Sequence, residues 1–160
     1  MTTTLKSVTL GLAGIGAAGM LCANPIDQIR PDAPALAPYG DHVIGVQTLE
    51  FTHAGQVDIL NTTADNAPTY DRPLTVEVWY PAAPGTQPGG EYITTLRDGN
   101  RQATLTGRAA RDAAPAEDAL FPLIVISHGY PGNRFLMSHL GENLASKGYV
   151  TVSIDHTDST

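Results

Sequence analysis

Two runs of apolar residues near the end of the chain predict two strands with a helix between them. Residues 123–126 are an unbroken series of apolar β-formers, and residues 149–154 form a second run. Continuous apolar runs of this length are typical of parallel strands that are covered on both faces. Between them Leu136, Leu140 and Leu144 recur every four residues, which predicts an amphipathic helix. The pattern therefore predicts one βαβ unit, with residues 123–126 as a central strand.

The expected helix has recognisable start and stop signals. Asn133 is a residue type that caps helix N-termini, because its side-chain oxygen can accept a hydrogen bond from an unpaired backbone N–H. Lys147 places a cation in the last turn, and Gly148 follows at a position that often adopts a left-handed conformation. We therefore expect the helix to run from Asn133 to Lys147 and the second strand to begin directly after Gly148.

An alternating pattern upstream predicts antiparallel strands. Residues 74–80 alternate with a period of two, and they place leucine and valines on one face and Thr75, Glu77 and Trp79 on the other. Residues 43–51 and 57–60 are further apolar runs, and the segment between them predicts a hairpin. Antiparallel strands that lead into a parallel βαβ unit predict an α/β fold. We expect Trp79 to cover the sheet; the alternative is that it lines a substrate cleft.

The segment 82–120 has no strong apolar pattern. It predicts a long loop with a partial helix, which would lie between Thr94 and Ala110. Connections longer than about 12 to 15 residues are usually functional or mobile. Its arginines stand at near-helical spacing, interleaved with Asp98 and Asp112. We expect a solvated charged face rather than an anion site. The arginines are Arg97, Arg101, Arg108 and Arg111.

The first 23 residues predict a targeting segment. Residues 1–23 carry one cation, Lys6, followed by an apolar, glycine-rich stretch that ends near Ala23. This is typical of a secretory signal peptide, so we expect a secreted or periplasmic protein, or a cytoplasmic one without export. The stretch is shorter than the about 20 residues of a stable membrane span. Residues 14–19 match a dinucleotide fingerprint, but the prolines from Pro25 onward leave no room for its βαβ unit, so no cofactor is expected.

Composition narrows the classes of partner and cofactor. The remaining segment, residues 24–160, is long enough for one domain. A formal net charge of −7 without a basic cluster argues against nucleic acid. The one cysteine, Cys22, excludes an internal disulfide and a thiolate metal cluster. His128, Asp155 and His156 lack the helical spacing of a metal-binding histidine pair, so no metal site is predicted.

The turn after residues 123–126 carries a family resemblance. Residues 126–130, 144–149 and 154–156 resemble the first crossover of the α/β-hydrolase family. The likeness is to platelet-activating-factor acetylhydrolase-like esterases and to bacterial cutinases and polyester hydrolases, and it covers residues 74–160 with a weaker extension upstream. It implies an incomplete α/β-hydrolase fold and the N-terminal portion of a serine ester hydrolase. Its substrates would be small-molecule or polymeric carboxylic esters, with lipid degradation among the expected roles.

The same resemblance implies a role for Tyr130. In such enzymes the loop after the third strand donates one backbone N–H of the oxyanion hole, and by position this donor is Tyr130. A developing oxyanion needs donors that are fixed before the reaction, and a tight turn at the carboxyl end of a parallel strand provides them. His128 and Gly129 are candidate substrate-binding residues. The alternative is that the glycines only connect strand to helix and that His128 is structural.

The residues that perform acyl transfer are missing. Such an enzyme needs a serine on a Gly-x-Ser-x-Gly elbow, followed in the chain by an acid and a histidine. No serine of the chain has glycine both two residues before and two residues after it. Asp155 and His156 are neighbours on a strand and point to opposite faces, so they cannot form a dyad. We expect the chain to be inactive alone. The alternative function is a non-catalytic binding or structural protein that retains the start of this fold.

Overall fold

The computed structural model describes residues 29–157 except Arg97 and Asp118. The expected signal peptide and the fingerprint match at residues 14–19 lie outside these residues. The strands are β1 (Ile44–Val57), β2 (Thr69–Pro81), β3 (Gly90–Thr95), β4 (Gln102–Gly107), β5 (Ala110–Arg111), β6 (Leu123–Ser127) and β7 (Val150–Ile154). The helix α1 spans Ser138–Ser146, and a short 3₁₀ turn spans Ile59–Asn61.

Five strands form one mixed sheet in the order β5-β1-β2-β7-β6. β1 and β2 are antiparallel, and so are β2 and β7. β6 and β7 are parallel, with Val125 opposite Val152, and α1 connects them. The antiparallel strands thus lead into a βαβ unit, which confirms the predicted α/β class. None of the described helices is long and apolar enough to cross a membrane.

The alternation along β2 separates two cores. On one face Val76, Val78 and Tyr80 pack with side chains of β7. On the other face Trp79 is fully buried beneath α1. Alternate side chains of a strand point to opposite faces, so this arrangement follows from the period-two pattern. The expectation that Trp79 covers the sheet is confirmed.

The helix differs from its prediction at its start and in its buried face. It begins at Ser138 rather than at Asn133, because residues 134–137 form turns. Its buried residues are Gly141, Glu142, Ala145 and Ser146, whereas Leu136 is 51% exposed and Leu140 is 36% exposed. Gly141 explains the choice of face, since a Cβ there would stand 2.5 Å from the Trp79 ring. The helix end is as predicted, with Gly148 at φ +87°.

Two predicted connections are wrong. Residues 53–56 are not a hairpin, because β1 continues through them with an irregular register between His53 and Gln56. Gly55, at φ +66°, takes up this irregularity, and the chain reverses after Val57 instead. The partial helix between Thr94 and Ala110 is also absent. There β3 and β4 form an antiparallel hairpin, with Tyr92 buried against Trp79 and Phe135 and with Gly99 in the hairpin turn at φ +72°.

β6 is the last strand of the described sheet. Leu123 is 63% exposed and Val125 is 58% exposed, while Ile124 and Ile126 are partly buried. The expectation of a central strand covered on both faces is therefore wrong for the described residues. One edge of β6 and the leucine side of α1 face solvent.

Candidate active site: the turn after β6

The turn formed by residues 128–133 leaves the carboxyl end of β6, beside the end of β7. In open α/β sheets ligands bind at this edge. The Tyr130 side chain is 83% exposed, and the Tyr130–Pro131 peptide is cis. Within the described part of the chain, no hydrogen bond is donated by the Tyr130 N–H. The turn therefore presents an exposed segment with an unpartnered backbone donor.

His128 anchors the first half of the turn. Its ring is buried, with 8% exposure, and Nδ1 lies 2.9 Å from the Gly129 carbonyl oxygen. The His156 N–H donates to Nε2 at 3.4 Å. Both contacts are satisfied when Nδ1 carries the proton of the neutral ring. Because both ring nitrogens are engaged inside the protein, the geometry favours the structural alternative for His128 over substrate binding.

The two glycines of the turn differ in what they require. A Cβ on Gly132 would stand 2.6 Å from the Gly129 carbonyl oxygen and 2.9 Å from His128 Nδ1. Gly132 therefore lies where no side chain fits. A Cβ on Gly129 would meet nothing within 4 Å. Gly129 leaves open space beside the exposed Tyr130 segment, and its predicted contact with substrate stays a prediction.

Asn133 fixes the second half of the turn. Its Oδ1 accepts from the Phe135 N–H at 2.9 Å, so it closes a local turn before α1 rather than capping the helix. Its Nδ2 donates to Thr94 Oγ1 at 2.7 Å. This second bond ties the turn to the β3–β4 hairpin. The hairpin, which was not predicted, therefore supports the candidate site.

Beside the turn lies a cluster of alternating charges that we call the arginine clamp: Arg134, Asp155, Glu77 and Arg111. The Arg134 N–H donates to Asp155 Oδ1 at 2.6 Å, and Arg134 Nη1 contacts Asp155 Oδ2. Arg134 Nε lies 3.3 Å from Glu77 Oε2, and Arg111 Nη1 lies 2.5 Å from Glu77 Oε1. Glu77 is fully buried. Arg111 was expected on a solvated face, and it instead pairs with this buried carboxylate.

Asp155 and His156 contact different partners, as expected, although β7 ends at Ile154 and both residues follow it. Asp155 binds Arg134, whereas His156 Nε2 lies 2.8 Å from Ser127 Oγ. Sequence reasoning missed the Ser127–His156 contact, because the two residues are brought together only by the parallel pairing of β6 and β7. Among the described residues no carboxylate hydrogen-bonds to His156, so this pair lacks the orienting acid of a catalytic triad.

A second buried carboxylate holds the hairpin against α1. Glu142 accepts hydrogen bonds from Tyr92 Oη at 2.5 Å and from the Arg108 and Ala109 N–H groups at 2.9 Å and 3.1 Å. Burial, and after it the neighbouring Glu142 charge, raises the pKa of Tyr92. The described residues contain no group of three or more ligands suited to a metal ion. Glu142 is thus a structural acceptor that keeps the hairpin close to α1.

The fold and this turn define an α/β-hydrolase-type protein. Residues 68–160, more than half of the chain, match the family described as platelet-activating factor acetylhydrolase, isoform II. The chain belongs to that family, which confirms the resemblance carried by residues 126–130.

One solved structure extends the comparison. The chain is similar to a ferulic acid esterase from Streptomyces cinnamoneus, with 27% sequence identity and a TM-score of 0.57 over 76% of this chain. The chain spans 36% of the length of that esterase. No curated protein is similar enough in sequence to count as a match.

Proposed function

We propose that the protein is a serine ester hydrolase acting on carboxylic esters, and that this chain is its N-terminal portion. The observation that carries the proposal is the Tyr130 N–H, a donor without a partner among the described residues, on a turn anchored at both ends. Membership in the acetylhydrolase family and the likeness to an esterase support the class of reaction.

In this proposal Tyr130 supplies half of the oxyanion hole. When a serine oxygen attacks the ester carbonyl, the carbonyl oxygen becomes an oxyanion that accepts hydrogen bonds from the Tyr130 N–H and from a second backbone N–H. The second donor follows the nucleophile on its Gly-x-Ser-x-Gly elbow. Each such donor contributes about 10²- to 10³-fold to turnover. The serine proton passes to a histidine and then to the departing alcohol.

The substrate is proposed as a small-molecule or polymeric ester. Gly129, which has open space beside it, would lie along the bound ester next to Tyr130. Because a similar solved structure is a ferulic acid esterase, feruloyl esters are the first natural substrates to assay. Export with cleavage near Ala23 belongs to the same proposal, and the N-terminal mass of the secreted protein tests it.

Covalent labelling tests the proposed function. The protein produced from its natural gene is treated with a fluorophosphonate, which labels activated serines, and the labelled peptide is identified by mass spectrometry. We expect one label, on a serine between two glycines of the elbow motif, together with hydrolysis of 4-nitrophenyl acetate. A stable protein that is neither labelled nor active would favour the alternative of a non-catalytic binding or structural protein. A label on Ser127 would contradict the expected nucleophile.

A further inference from the structure

The arginine clamp is an ionic cluster around the buried Glu77 carboxylate, and the proposed chemistry does not itself use it. Its two carboxylates, Glu77 and Asp155, are matched by two guanidinium groups, Arg134 and Arg111. Glu77 is 0% exposed, and the Arg134 side chain is 22% exposed. A buried carboxylate is tolerated only when it is paired and hydrogen-bonded. Thr48 Oγ1 also donates to Glu77 at 2.8 Å, which completes its pairing.

Arg134 joins three separate elements at the end of the turn. Its guanidinium bridges Glu77 on β2 and Asp155, the residue directly after β7, and it lies 4.2 Å from the centre of the Phe135 ring. Its backbone N–H is held by the same Asp155 carboxylate. Arg134 therefore has its main chain and its side chain fixed by one carboxylate, and it directly follows the turn.

The two residues that follow β7 hold the two ends of the turn. The His156 N–H binds the ring of His128 at its start, and the Asp155 carboxylate binds Arg134 at its end. Between these anchors lie the five residues 129–133, with Tyr130 second among them. A five-residue segment that is fixed at both ends has little freedom to move the Tyr130 N–H.

We propose that Arg134, held by Asp155 and Glu77, is a positioning residue that sets the direction of the Tyr130 N–H toward the developing oxyanion. This inference rests on the proposed function. Oxyanion stabilisation depends on donors that are placed before the reaction, and small displacements of such groups are costly. Arg134 contacts no reacting atom. It acts through the turn.

Two variants of Arg134 separate charge from geometry. Arg134→Met keeps an apolar stem over Phe135 and removes both ion pairs. Arg134→Lys keeps the charge but cannot reach two carboxylates with a planar fork. The matched control is Arg101→Met, because Arg101 pairs with Asp98 at the exposed tip of the hairpin, where its side chain is 75% exposed. All variants are made in the protein produced from its natural gene.

The first measurement is amide hydrogen exchange of the turn, followed by mass spectrometry. We expect exchange of the hydrogen-bonded N–H groups of residues 134–136 to become on the order of tenfold faster in Arg134→Met, because the bond from the Arg134 N–H to the Asp155 carboxylate is weakened. Arg134→Lys should give a smaller increase, and Arg101→Met none. Trp79 emission shows whether each variant remains folded under the conditions of the assay.

The second measurement is ester turnover, with Tyr130→Pro measured in parallel. Arg134→Met should lower kcat roughly 10- to 100-fold with little change in KM, because the donor acts in the transition state. Arg134→Lys should restore part of kcat, and Arg101→Met should match the parent. If Arg134 only stabilised the fold, Arg134→Met would lower the fraction of active protein. Arg134→Lys would then not restore kcat in parallel with slower amide exchange in the turn.

The outcomes distinguish this inference from the proposed function. If Tyr130→Pro abolishes turnover while Arg134→Met keeps parental kcat or parental turn exchange, the positioning role is overturned and the oxyanion assignment stands. If Tyr130→Pro keeps parental kcat, the oxyanion assignment itself fails, and the positioning role fails with it. If the parent has no esterase activity, the proposed function fails. In that case, amide exchange in Arg134→Met that equals the exchange of the parent would also overturn the inference that Arg134 holds the turn in place.

Discussion

Replacing Gly141 by alanine tests the contact on which the helix packing depends. In an exposed helix this change stabilises by about 1 kcal/mol, because alanine is a better helix former. At position 141 the new Cβ would stand 2.5, 2.7 and 3.0 Å from three atoms of the Trp79 ring. Ordinary carbon contacts are about 3.5 to 4.0 Å. The ring or the helix must therefore move by about 1 Å.

The surroundings of Trp79 oppose that movement. The side chain is 0% exposed, and its Nε1 donates to Tyr92 Oη at 2.9 Å. Overpacking of a core costs about 1 to 3 kcal/mol. Weakening the hydrogen bond costs about 1 kcal/mol more. After the helix gain of about 1 kcal/mol is subtracted, we expect Gly141→Ala to destabilise by about 1 to 3 kcal/mol.

The single tryptophan of the chain makes the assay specific, since Trp79 reports unfolding from the site of the clash. Urea unfolding followed by its emission gives the free energy of unfolding for the parent and for Gly141→Ala. His139→Ala is the control, because His139 lies on an exposed position of the same helix and should gain about 0.5 kcal/mol. A Gly141→Ala variant as stable as the parent, or more stable, would refute the close approach of helix and ring.

Three further predictions concern stability and activity. The pKa of Tyr92 is raised in the folded protein, so the contribution of Tyr92 to stability is present below about pH 10 and is lost as the pH rises above that value. The free energy of unfolding should therefore fall between about pH 9 and about pH 11. In Tyr92→Phe it should fall less steeply. Glu142→Leu removes the acceptor of Tyr92 and of two backbone N–H groups and should cost about 3 kcal/mol or more, while Glu142→Gln should cost less in the same urea assay. Residues 24–160 alone should show no saturable turnover of an activated ester and should associate through the open β6 edge; a monodisperse monomer with turnover above a denatured control would contradict this.

The local pattern of apolar and polar residues was sufficient to predict the βαβ unit and the strand β2. Residues 123–126, residues 149–154 and the alternation around Trp79 each carry their strand signal within a few positions. The end of α1 is likewise local, because Gly148 adopts the left-handed conformation that its position favours. The position of the turn at Tyr130 was also predictable from the local pattern, because the turn lies between the strand β6 and the helix α1.

Features that depend on contacts between residues far apart in the chain were not predictable from the local sequence pattern. The leucine stripe of α1 has the right period, but the buried face is chosen by the fit of Gly141 to Trp79 on another element. The β3–β4 hairpin has a weak alternation rich in threonine, and it is held by Glu142 far along the chain. The arginine clamp joins β2, β5, the residue after β7 and the residue after the turn, so no short spacing in the sequence indicates it.

The most direct test of the oxyanion assignment compares Tyr130→Ala with Tyr130→Pro in the protein produced from its natural gene. Alanine keeps the backbone N–H, so kcat for an activated ester should remain close to that of the parent. Proline removes the N–H, and kcat should fall on the order of 10²- to 10³-fold. Trp79 emission establishes that both variants are folded. Equal kcat for the proline variant and the parent would contradict the assignment of Tyr130 to the oxyanion hole.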